Sequence, residues 1–434
     1  MSTFTCPIVT VKTVTPNPNS DNLDILTFEE IGWVCQDVRG KRKVGDKVVY
    51  IPIDSLVDCT RPEFAFLMKN AKMRTISLPA EGNRYVEAGV VEIQKPIARI
   101  KTIKLRGEIS QGLVIDLEAL AGNKRANNDV NPIPKNEIIY PELQYVPEYV
   151  GWMPTLYFDA TGNNYLELES GVDVAKILGV IKYEPPQEAV FSANAKGTFP
   201  KWCPKTDAER YQNFNRVIEP YFDDLFTVSV KIDGTSLTVF YDSLREGDEF
   251  GVCSRNQELK SPEQDLSSSN LTKYGFTMDA YWKAATQYSL LEKARSIAVN
   301  NGYQRVALQF ELAGEGIQKN RLGLKGQFPY LFDIYVTKEG FEGYLDYTDM
   351  LRLADEYNIS TVPILERAVS LSKFLGNPPN FSFLHNNVRY PNGLLAEGVV
   401  FVSVKEKFVG KLGRLKFKYI NPYYLLSITI DESV

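Results

Sequence analysis

Histidine is nearly absent from this chain, since His385 is the only one among 434 residues. A metal centre built from several imidazole groups is therefore excluded, and a Ser-His-Asp or Cys-His mechanism would depend on this single side chain. Two asparagines follow His385, so the local sequence predicts a loop residue rather than a catalytic base. Catalytic groups are to be sought among other residue types.

Cysteine is scarce as well. There are five cysteines, an odd number, and no two of them form a Cys-x-x-Cys pair. This argues against a disulfide framework or a zinc site and predicts a reducing, intracellular location such as the cytoplasm. Long apolar runs are also missing, because none approaches the roughly 20 residues that span a bilayer. The N-terminus lacks a signal-peptide pattern, so we expect no membrane partner.

No charge of one sign dominates, because 49 basic and 54 acidic residues give a net charge of -5. Any contact with nucleic acid must therefore come from a local basic surface. With 44% hydrophobic and 24% charged residues, the composition is typical of a globular protein of two or three domains.

Residues 1–120 consist of short predicted strands separated by turn signals. The strands are predicted over residues 8–14, 24–28, 47–53, 98–105 and 112–116, with 60–95 as an insertion. Strands of this number and length favour a small barrel, most commonly an OB-fold. The basic residues of this part are Lys41, Arg42, Lys43, Arg99, Lys101, Lys104 and Arg106. These residues are consistent with contact to a nucleic-acid backbone. They are equally consistent with exposed strand edges whose lysines prevent pairing with another chain.

The rest of the chain divides into two parts. Residues 121–195 are rich in Asn, Pro and Tyr and are interpreted as a connecting segment, with one short helix near 171–178. Residues 196–434 combine longer strands with helices predicted over 279–300 and 347–357. The predicted fold class is α+β and multidomain: an OB-like barrel, then a domain of antiparallel sheets with flanking helices.

The stretch from Val228 to Leu237 contains the best candidate for a nucleophile. Read as a strand, it places Lys231 and Asp233 on one face, and Asp233-Gly234 predicts a tight turn into the second strand of a hairpin. A lysine becomes a good nucleophile when burial or a neighbouring cation lowers its pKa. The four residues Lys-x-Asp-Gly alone are more typical of an exposed strand. Whether Lys231 is catalytic therefore has to be judged from the other strands.

Three further strands offer charges on a sheet face. In one strand, alternation places Glu311 on the face opposite to that of the large apolar residues. In another, it places Lys416 and Lys418 together on one face, with an apolar pair on the other. Glu397 opens a strand that is apolar on both faces, where a carboxylate is costly unless it faces a cation. One nucleophilic lysine, three carboxylates and two further lysines fit covalent nucleotidyl transfer assisted by Mg²⁺. The competing phosphate site, a P-loop, has no match in the sequence.

Six motifs, in order, resemble those of the covalent nucleotidyltransferases, which comprise ATP-dependent DNA and RNA ligases and mRNA capping enzymes. They are KIDG (231–234), SRN (254–256), FELAG (310–314), YLFDIY (330–335), EGVV (397–400) and LKFK (415–418). An OB-like domain before the transferase resembles the fifth family of RNA ligases, as do residues 104–113, 182–186 and 199–213. Because the sequence ends shortly after the last motif, we expect no C-terminal OB domain.

The resemblance implies an ATP-dependent RNA ligase. Lys231 is expected to attack the α-phosphate of ATP and form lysyl-AMP, after which AMP passes to a 5′-phosphate end and a 3′-OH seals the strand. Asp233, Glu311 and Glu397 are expected to hold the waters of Mg²⁺ or Mn²⁺. The expected substrate is nicked or broken RNA, or an RNA/DNA hybrid. Further implied nucleotide or substrate contacts are Gly234, Arg255, Glu311, Phe332, Lys416, Lys418, Arg210 and Asn213.

One position departs from the family pattern. Many relatives have Glu immediately before the nucleophile, where this chain has Val230. That side chain therefore provides no contact to the base, so both ATP and GTP remain candidates for the nucleotide substrate. Three alternatives remain: a DNA or mixed RNA/DNA nick ligase, a GTP-using capping-type enzyme, and a non-catalytic protein that binds nucleic-acid ends.

Overall fold

A computed structural model describes the chain except for several segments. The described residues are 4–79, 90–117, 119–120, 137–140, 156–158, 164–167, 169–184, 194–261 and 280–431. The chain divides into two compact units, residues 1–185 with 429–434 and residues 186–428. Within the described segments, no helix is long and apolar enough to cross a membrane. The predicted limits of the connecting segment, 121 and 195, stay a prediction, since much of it lies outside the described residues.

The first unit is built mainly from short strands. Its described elements are β1 (Ile8–Pro16), β2 (Leu23–Phe28), β3 (Cys35–Val38), β4 (Lys47–Ile51), β5 (Ser55–Asp58), a 3-10 helix (Pro62–Asn70), β6 (Lys72–Pro79), β7 (Val90–Arg99), β8 (Thr102–Leu105), β9 (Glu108–Gln111), β10 (Leu113–Ile115), β11 (Glu137–Tyr140), β12 (Leu156–Phe158), β13 (Asn164–Glu167) and β14 (Ile181–Lys182). The sheets have the orders β10-β4-β1-β2-β3, β14-β5-β7-β6, β11-β13-β12 and β8-β9.

The five-stranded sheet of this unit curls into a nearly closed, OB-like barrel, as predicted. Its two edges meet where the Gln111 N–H donates to the Val34 carbonyl oxygen at 2.8 Å and Cys35 Sγ donates to the Gln111 carbonyl oxygen at 3.1 Å. The next residue, Gly112, has φ +104°, and a Cβ there would lie 2.6 Å from the Tyr50 ring. Only glycine fits this position without displacing the barrel wall.

Two predictions for this unit are wrong. The strand predicted over 98–105 is two strands, β7 and β8, which belong to different sheets. The helix predicted near 171–178 is a series of turns. Asp173 instead forms an isolated bridge with Pro7, and its carboxylate accepts a hydrogen bond from the Cys6 N–H at 2.8 Å. A side chain that caps a neighbouring strand in this way competes with helix formation.

Part of the predicted basic surface serves the fold of this unit. Arg42 is buried and pairs with Asp37 at 2.7 Å and with Asp116. Arg99 pairs with Asp54 at 2.7 Å. Lys104 and Arg106, in contrast, are exposed. A nucleic-acid contact by this unit stays a prediction.

The second unit has longer strands and flanking helices. Its described strands are β15 (Ala195–Thr198), β16 (Glu209–Arg210), β17 (Leu225–Lys231), β18 (Thr235–Asp242), β19 (Phe250–Cys253), β20 (Gln257–Leu259), β21 (Arg305–Gly314), β22 (Gln327–Lys338), β23 (Phe341–Tyr344), β24 (Ile364–Ser370), β25 (Gly398–Ser403), β26 (Phe408–Val409), β27 (Gly413–Arg414) and β28 (Lys416–Ile420). The helices are α1 (Tyr211–Ile218), α2 (Ala280–Gln287), α3 (Leu290–Asn301), α4 (Tyr347–Glu356), α5 (Leu371–Leu375), α6 (Ser382–Asn387) and α7 (Pro422–Asp431), with 3-10 turns at Glu219–Tyr221 and Gly410–Leu412.

Two sheets form this unit. Sheet A has the order β15-β20-β19-β18-β21-β22-β23, and sheet B has the order β16-β28-β25-β17-β24. One hydrophobic core lies between sheet A and helices α2, α3 and α4, and a second joins sheet B to α1, α5 and α6. Apart from the parallel pair β16 and β28, the pairs within both sheets are antiparallel. The predicted architecture is confirmed.

The predicted hairpin around Asp233-Gly234 is wrong. β17 pairs with β24 and β25 in sheet B, whereas β18 pairs with β19 and β21 in sheet A. The chain therefore crosses from one sheet to the other at this point. A Cβ on Gly234 would lie 2.5 Å from the Leu312 carbonyl oxygen. Glycine is required here because the crossing strand passes directly against β21.

One helix prediction and one loop prediction need correction. The helix predicted over 279–300 is two helices, α2 and α3, separated at Ser289, whose φ is 52°; Asp279 lies outside the described residues. Gly302 ends α3 in a left-handed conformation, as predicted. His385 lies in the short helix α6 rather than in a loop, and its Nε2 is 2.8 Å from the Tyr419 hydroxyl. The ring thus packs in the fold of this unit.

Candidate active site

A cleft of about 430 Å³ lies between sheets A and B. Sheet B supplies its floor through three neighbouring strands. Lys231 in β17 is paired with Gly398 in β25, and Lys418 in β28 is paired with Val400. Because paired residues of adjacent strands share a face, the side chains at these positions form one surface.

Most of the site residues predicted from the sequence line this cleft. They are Lys231, Asp233, Gly234, Arg255, Glu311, Phe332, Glu397, Lys416 and Lys418. Two other described residues, Arg210 and Asn213, were also predicted as site residues but do not line the cleft. Arg210 is paired with Lys418 through the backbones of β16 and β28, and its charge lowers the pKa of that lysine. Asn213 is an exposed residue of α1.

Lys231 forms an ion pair inside the cleft. Its Nζ lies 2.8 Å from Oε2 of Glu397, and both side chains are largely buried. Burial lowers the pKa of Lys231, but the charges of Glu397 and Glu311 more than offset this, so the pKa stands above its ordinary value. The carboxylate that opens the buried central strand therefore has the cation that the sequence predicted, and Lys231 holds its proton in this arrangement.

The carboxylates of the cleft carry more negative charge than Lys231 alone offsets. Burial, together with the charges of Glu397 and Asp233, raises the pKa of Glu311 to about 7, although Lys231 acts in the opposite direction. Burial and Glu397 likewise raise the pKa of Asp233. Crowded carboxylates of this kind fit a hydrated divalent cation. Among the described residues, no group of three or more His, Cys, Asp or Glu side chains is arranged to bind a metal directly.

The two lysines of β28 lie on the same face but have different partners. Burial and the charges of Lys231 and Arg210 lower the pKa of Lys418 to about 8. Lys416 is 8% exposed, and its Nζ lies 2.5 Å from Oδ2 of Asp333. Burial lowers the pKa of Lys416 in spite of that carboxylate. Lys418 thus lies close to other cations, whereas Lys416 is held by the carboxylate of Asp333.

Asp333 anchors two cations and was not predicted as a site residue. It accepts two hydrogen bonds from Arg414, at 3.0 and 3.1 Å, in addition to the one from Lys416. Burial raises the pKa of Asp333, but Arg414 and Lys416 prevail and hold it below its ordinary value. We interpret Asp333 as a positioning residue for Lys416.

A β-bulge explains why Asp333 was missed. In the register of β21 with β22, Gln309 faces Asp333 and Phe310 faces Leu331, so Phe332 has no opposite residue. Lys416 lies over the Phe332 ring, with Nζ 4.7 Å from its centroid, and also contacts Asp333. Strict alternation would place these neighbours on opposite faces, but a bulge directs both toward Lys416.

Arg255 lies at the exposed mouth of the cleft. Both of its short contacts, at 2.8 and 2.9 Å, are to the carboxylate of Asp207. The two side chains are about equally exposed, at 60% and 62%, so water weakens this pair. Arg255 can therefore exchange Asp207 for a phosphate at little cost.

Tyr390 joins the backbones of three positions and was not predicted. Its hydroxyl accepts hydrogen bonds from the N–H groups of Asp233 and Glu397 and donates one to the Lys231 carbonyl oxygen, each at 3.1 Å. The side chain is 4% exposed. Beyond it, Gly398 must be glycine, because a Cβ there would lie 2.0 Å from the Tyr419 carbonyl oxygen. Tyr390 thus fixes the end of β17 against the start of β25.

We expect Tyr390→Phe to slow the reaction of Lys231 while leaving the fold intact. The ring keeps its packing, but two N–H groups and one carbonyl oxygen lose their partner, which costs about 1–3 kcal/mol of unfolding free energy. The first-order rate of nucleotide attachment should fall about tenfold, with a smaller change in the KM for ATP. Single-turnover kinetics and urea unfolding measure the two effects.

Tyr419→Phe is the matched control for this prediction. Its hydroxyl lies in the same hydrophobic core but is bonded to the His385 ring. The control should lose less stability, because only one contact is removed, and its rate should not change. If both variants lose stability but neither loses rate, Tyr390 has no positioning role.

Residues 224–420 match the RNA ligase family, and residues 6–117 match an OB-fold domain. The chain is similar to structures of an RNA ligase from Naegleria gruberi, at 28% identity in each case. A variant with ATP and Mn has a TM-score of 0.66 and covers 98% of this chain and 99% of that chain. The structure with PPi has a TM-score of 0.65 and covers 98% of each. A variant with AMP and Mn has a TM-score of 0.65 and covers 97% and 98%. Comparison with curated proteins found no match.

Proposed function

We infer that this chain, whose residues 224–420 match the RNA ligase family, is an ATP-dependent RNA ligase whose reaction begins at Lys231. It joins 3′-OH and 5′-phosphate ends through lysyl-AMP and then an adenylylated 5′ end. The observation that carries the choice of Lys231 is its place in the cleft: its Nζ faces Glu397 at 2.8 Å, on the same sheet face as Lys418.

In the first step, Nζ of Lys231 attacks the α-phosphorus of ATP. Before the attack, Nζ passes the proton that it shares with Oε2 of Glu397 to that carboxylate or to water, which leaves a neutral amine. An N–P bond then forms, the bond to the leaving pyrophosphate breaks, and the nitrogen releases a second proton to water. Lys416 and Lys418 neutralise the charge of the phosphate as it passes through its crowded transition state. Phe332, beside Lys416, offers a ring face to the adenine.

The cleft also accounts for the need for a divalent cation. Asp233, Glu311 and Glu397 would hold it through water. Burial, together with the charges of Glu397 and Asp233, raises the pKa of Glu311 to about 7, and a cation would relieve this repulsion. When bound, such a cation offsets the carboxylate charge and so lowers the pKa of Lys231 toward the range of a nucleophile. Mn accompanied ATP in the similar Naegleria gruberi structure.

The substrate and location follow from the same inference. RNA and ATP are the two partners of the reaction, and we propose that the RNA is nicked or broken and that an RNA/DNA hybrid is accepted. Arg255 is the proposed contact for the incoming 5′-phosphate, because it is exposed at the mouth and weakly paired. A reducing, intracellular location is also proposed. The five buried, unpaired cysteines support it.

The test is incubation with α-labelled ATP and Mn²⁺, followed by a denaturing gel, and then by nicked RNA, nicked DNA and a hybrid. We expect a label that survives denaturation, is discharged by adding a 5′-phosphorylated RNA nick, and yields sealed RNA. Label from GTP instead would favour a capping-type enzyme, and sealing of DNA alone would favour a DNA ligase. Absence of label from both nucleotides would contradict the proposal and favour a protein that only binds strand ends.

A further inference from the structure

A largely buried arginine, Arg321, lies beside one of the carboxylates of the cleft. It belongs to the loop that joins β21 to β22, and its side chain is 15% exposed. Its Nε lies 3.9 Å from Oδ2 of Asp233. This distance is too long for a hydrogen bond, but the opposite charges attract each other because both side chains are largely buried. Asp233 lines the cleft, whereas Arg321, among the described residues, does not.

The last helix supplies a second partner for the same carboxylate. Tyr424 lies in the first turn of α7 and is 3% exposed. Its hydroxyl faces the Asp233 carboxylate, to which it can donate a hydrogen bond. Within the described part of the chain, Tyr424 does not line the cleft either. Both partners therefore reach Asp233 from inside the fold and leave its other side to the cleft.

Arg321 and Tyr424 also hold each other. The guanidinium lies over the Tyr424 ring, with Cζ 5.0 Å from the centroid, and its Nη1 donates a hydrogen bond to the Ser427 hydroxyl at 3.0 Å. The Ser427 hydroxyl in turn donates to the Tyr424 carbonyl oxygen at 2.7 Å. A guanidinium over an aromatic face is attracted by the ring. The loop and the helix thus form one connected network next to Asp233.

The loop that contains Arg321 is fixed at two points. The side chain of Asn320 donates to the Leu324 carbonyl oxygen at 2.9 Å and accepts from the Leu324 N–H at 3.1 Å, which closes a turn around Arg321. Earlier in the loop, Nε2 of Gln318 donates to the Gly234 carbonyl oxygen at 3.2 Å. The loop is therefore tied both to itself and to the KIDG motif.

We propose that Tyr424 and Arg321 are positioning residues that hold Asp233 in the orientation in which it binds the waters of the divalent cation. This rests on the proposed function, in which Asp233 is one of the three carboxylates that hold the cation. A short side chain can turn about two bonds, and two partners on one side fix which part of the carboxylate faces the cleft. Tyr424 and Arg321 themselves touch none of the reacting atoms.

The test compares Tyr424→Phe with the wild type in two measurements. Binding of Mn²⁺ alone to the full chain is followed by the loss of the EPR signal of free Mn²⁺, without nucleotide. The rate of AMP attachment is then measured at saturating ATP over a range of Mn²⁺ concentrations. Loss of the hydroxyl should raise both the Kd for Mn²⁺ and the half-saturating Mn²⁺ concentration about tenfold. The rate at saturating Mn²⁺ should stay within about threefold of the wild type, because every group that contacts ATP is retained.

Tyr423→Phe is the matched control. Tyr423 is the neighbouring residue of α7, is 37% exposed and packs edge-on against the His385 ring, with the centroids 5.6 Å apart. It should leave both Mn²⁺ measurements unchanged. Should Tyr424→Phe fail to fold, Arg321→Lys decides instead. Lysine keeps the charge but loses the planar contacts with Tyr424 and Ser427, so the same rise is expected.

The proposal is overturned if the tested variant depends on Mn²⁺ as the wild type does. It is also overturned if the variant loses rate equally at every Mn²⁺ concentration, which marks a role in stability alone, or if Tyr423→Phe shifts the Mn²⁺ dependence as much. Failure of the proposed function is distinct. A wild type that takes no label from ATP contradicts lysyl-AMP formation, whereas Mn²⁺ binding without nucleotide still tests the role of Tyr424. A wild type whose EPR signal and labelling are both indifferent to Mn²⁺ overturns the positioning role as well.

Discussion

Lys231→Ala should abolish the covalent attachment of AMP, with no residual label above background. The reaction needs a nitrogen nucleophile at this position, and alanine provides none. Sealing of RNA that already carries AMP on its 5′-phosphate should persist, because that step does not pass through Lys231. Gel detection of the label and a sealing assay with adenylylated RNA measure the two outcomes.

Lys418 is the competing candidate for the nucleophile. Its pKa is about 8, whereas that of Lys231 stands above the ordinary value. By pKa alone, Lys418 would be the better nucleophile at neutral pH. The choice of Lys231 rests instead on its motif and on the adjoining carboxylates, whose charge a bound cation can offset. Attachment by Lys231 should speed up as pH rises, because a larger fraction of the amine is then unprotonated.

Two variants separate the candidates. Lys231→Arg keeps the positive charge opposite Glu397 but removes the nucleophile, since a guanidinium stays protonated. It should fold normally and take no label. Lys418→Met should be labelled slowly but measurably. AMP found on a peptide that contains Lys418, or label retained by Lys231→Arg, would contradict the assignment.

Much of this site could be predicted because successive side chains of a strand point to opposite faces of the sheet. Glu311, Lys416 and Lys418 line the cleft as predicted because alternation within a strand is a local property. Glu397 is paired with a cation, as predicted, because a carboxylate on a buried strand is costly without a positive charge beside it. The motifs placed these strands in one site, although they lie far apart in the chain.

Features that depend on the partner of a strand could not be predicted. Asp233-Gly234 has the local signature of a hairpin, but β17 and β18 find their partners in different sheets. The bulge at Phe332 is a matter of register between β21 and β22, which no single strand reveals. Tyr390 has no motif at all: its role comes from three backbone groups that only the fold brings together.

Asp333→Asn should be the most damaging change outside the residues that contact the nucleotide. The amide keeps the shape of the carboxylate but leaves Arg414 and Lys416 facing a neutral group. Breaking a buried ion pair costs about 3–5 kcal/mol of unfolding free energy. With Lys416 released from its anchor, the rate of AMP attachment should fall about 100-fold or more. Urea unfolding and single-turnover labelling measure these losses.

The loss of stability should depend on pH in a defined direction. Because the pKa of Asp333 lies below its ordinary value, its pairing contributes fully above the ordinary carboxyl range. It is lost as pH falls through the lowered pKa, where the native carboxylate takes up a proton. Wild type and Asp333→Asn should therefore differ most at neutral pH and converge in acid, below about pH 4.

Glu406→Gln is the control that isolates the role of Lys416. Glu406 accepts hydrogen bonds from Arg414 at 2.7 and 2.8 Å, and the pair of Asp333 with Lys416 stays in place when it is changed. This variant should lose some stability through Arg414 but keep AMP attachment within about threefold of the wild type. If Glu406→Gln and Asp333→Asn slow the reaction equally, or if Asp333→Asn labels at the wild-type rate, Asp333 does not position Lys416. If only Asp333→Asn is slow, the anchoring of one lysine by a bulged strand sets the rate of the first step.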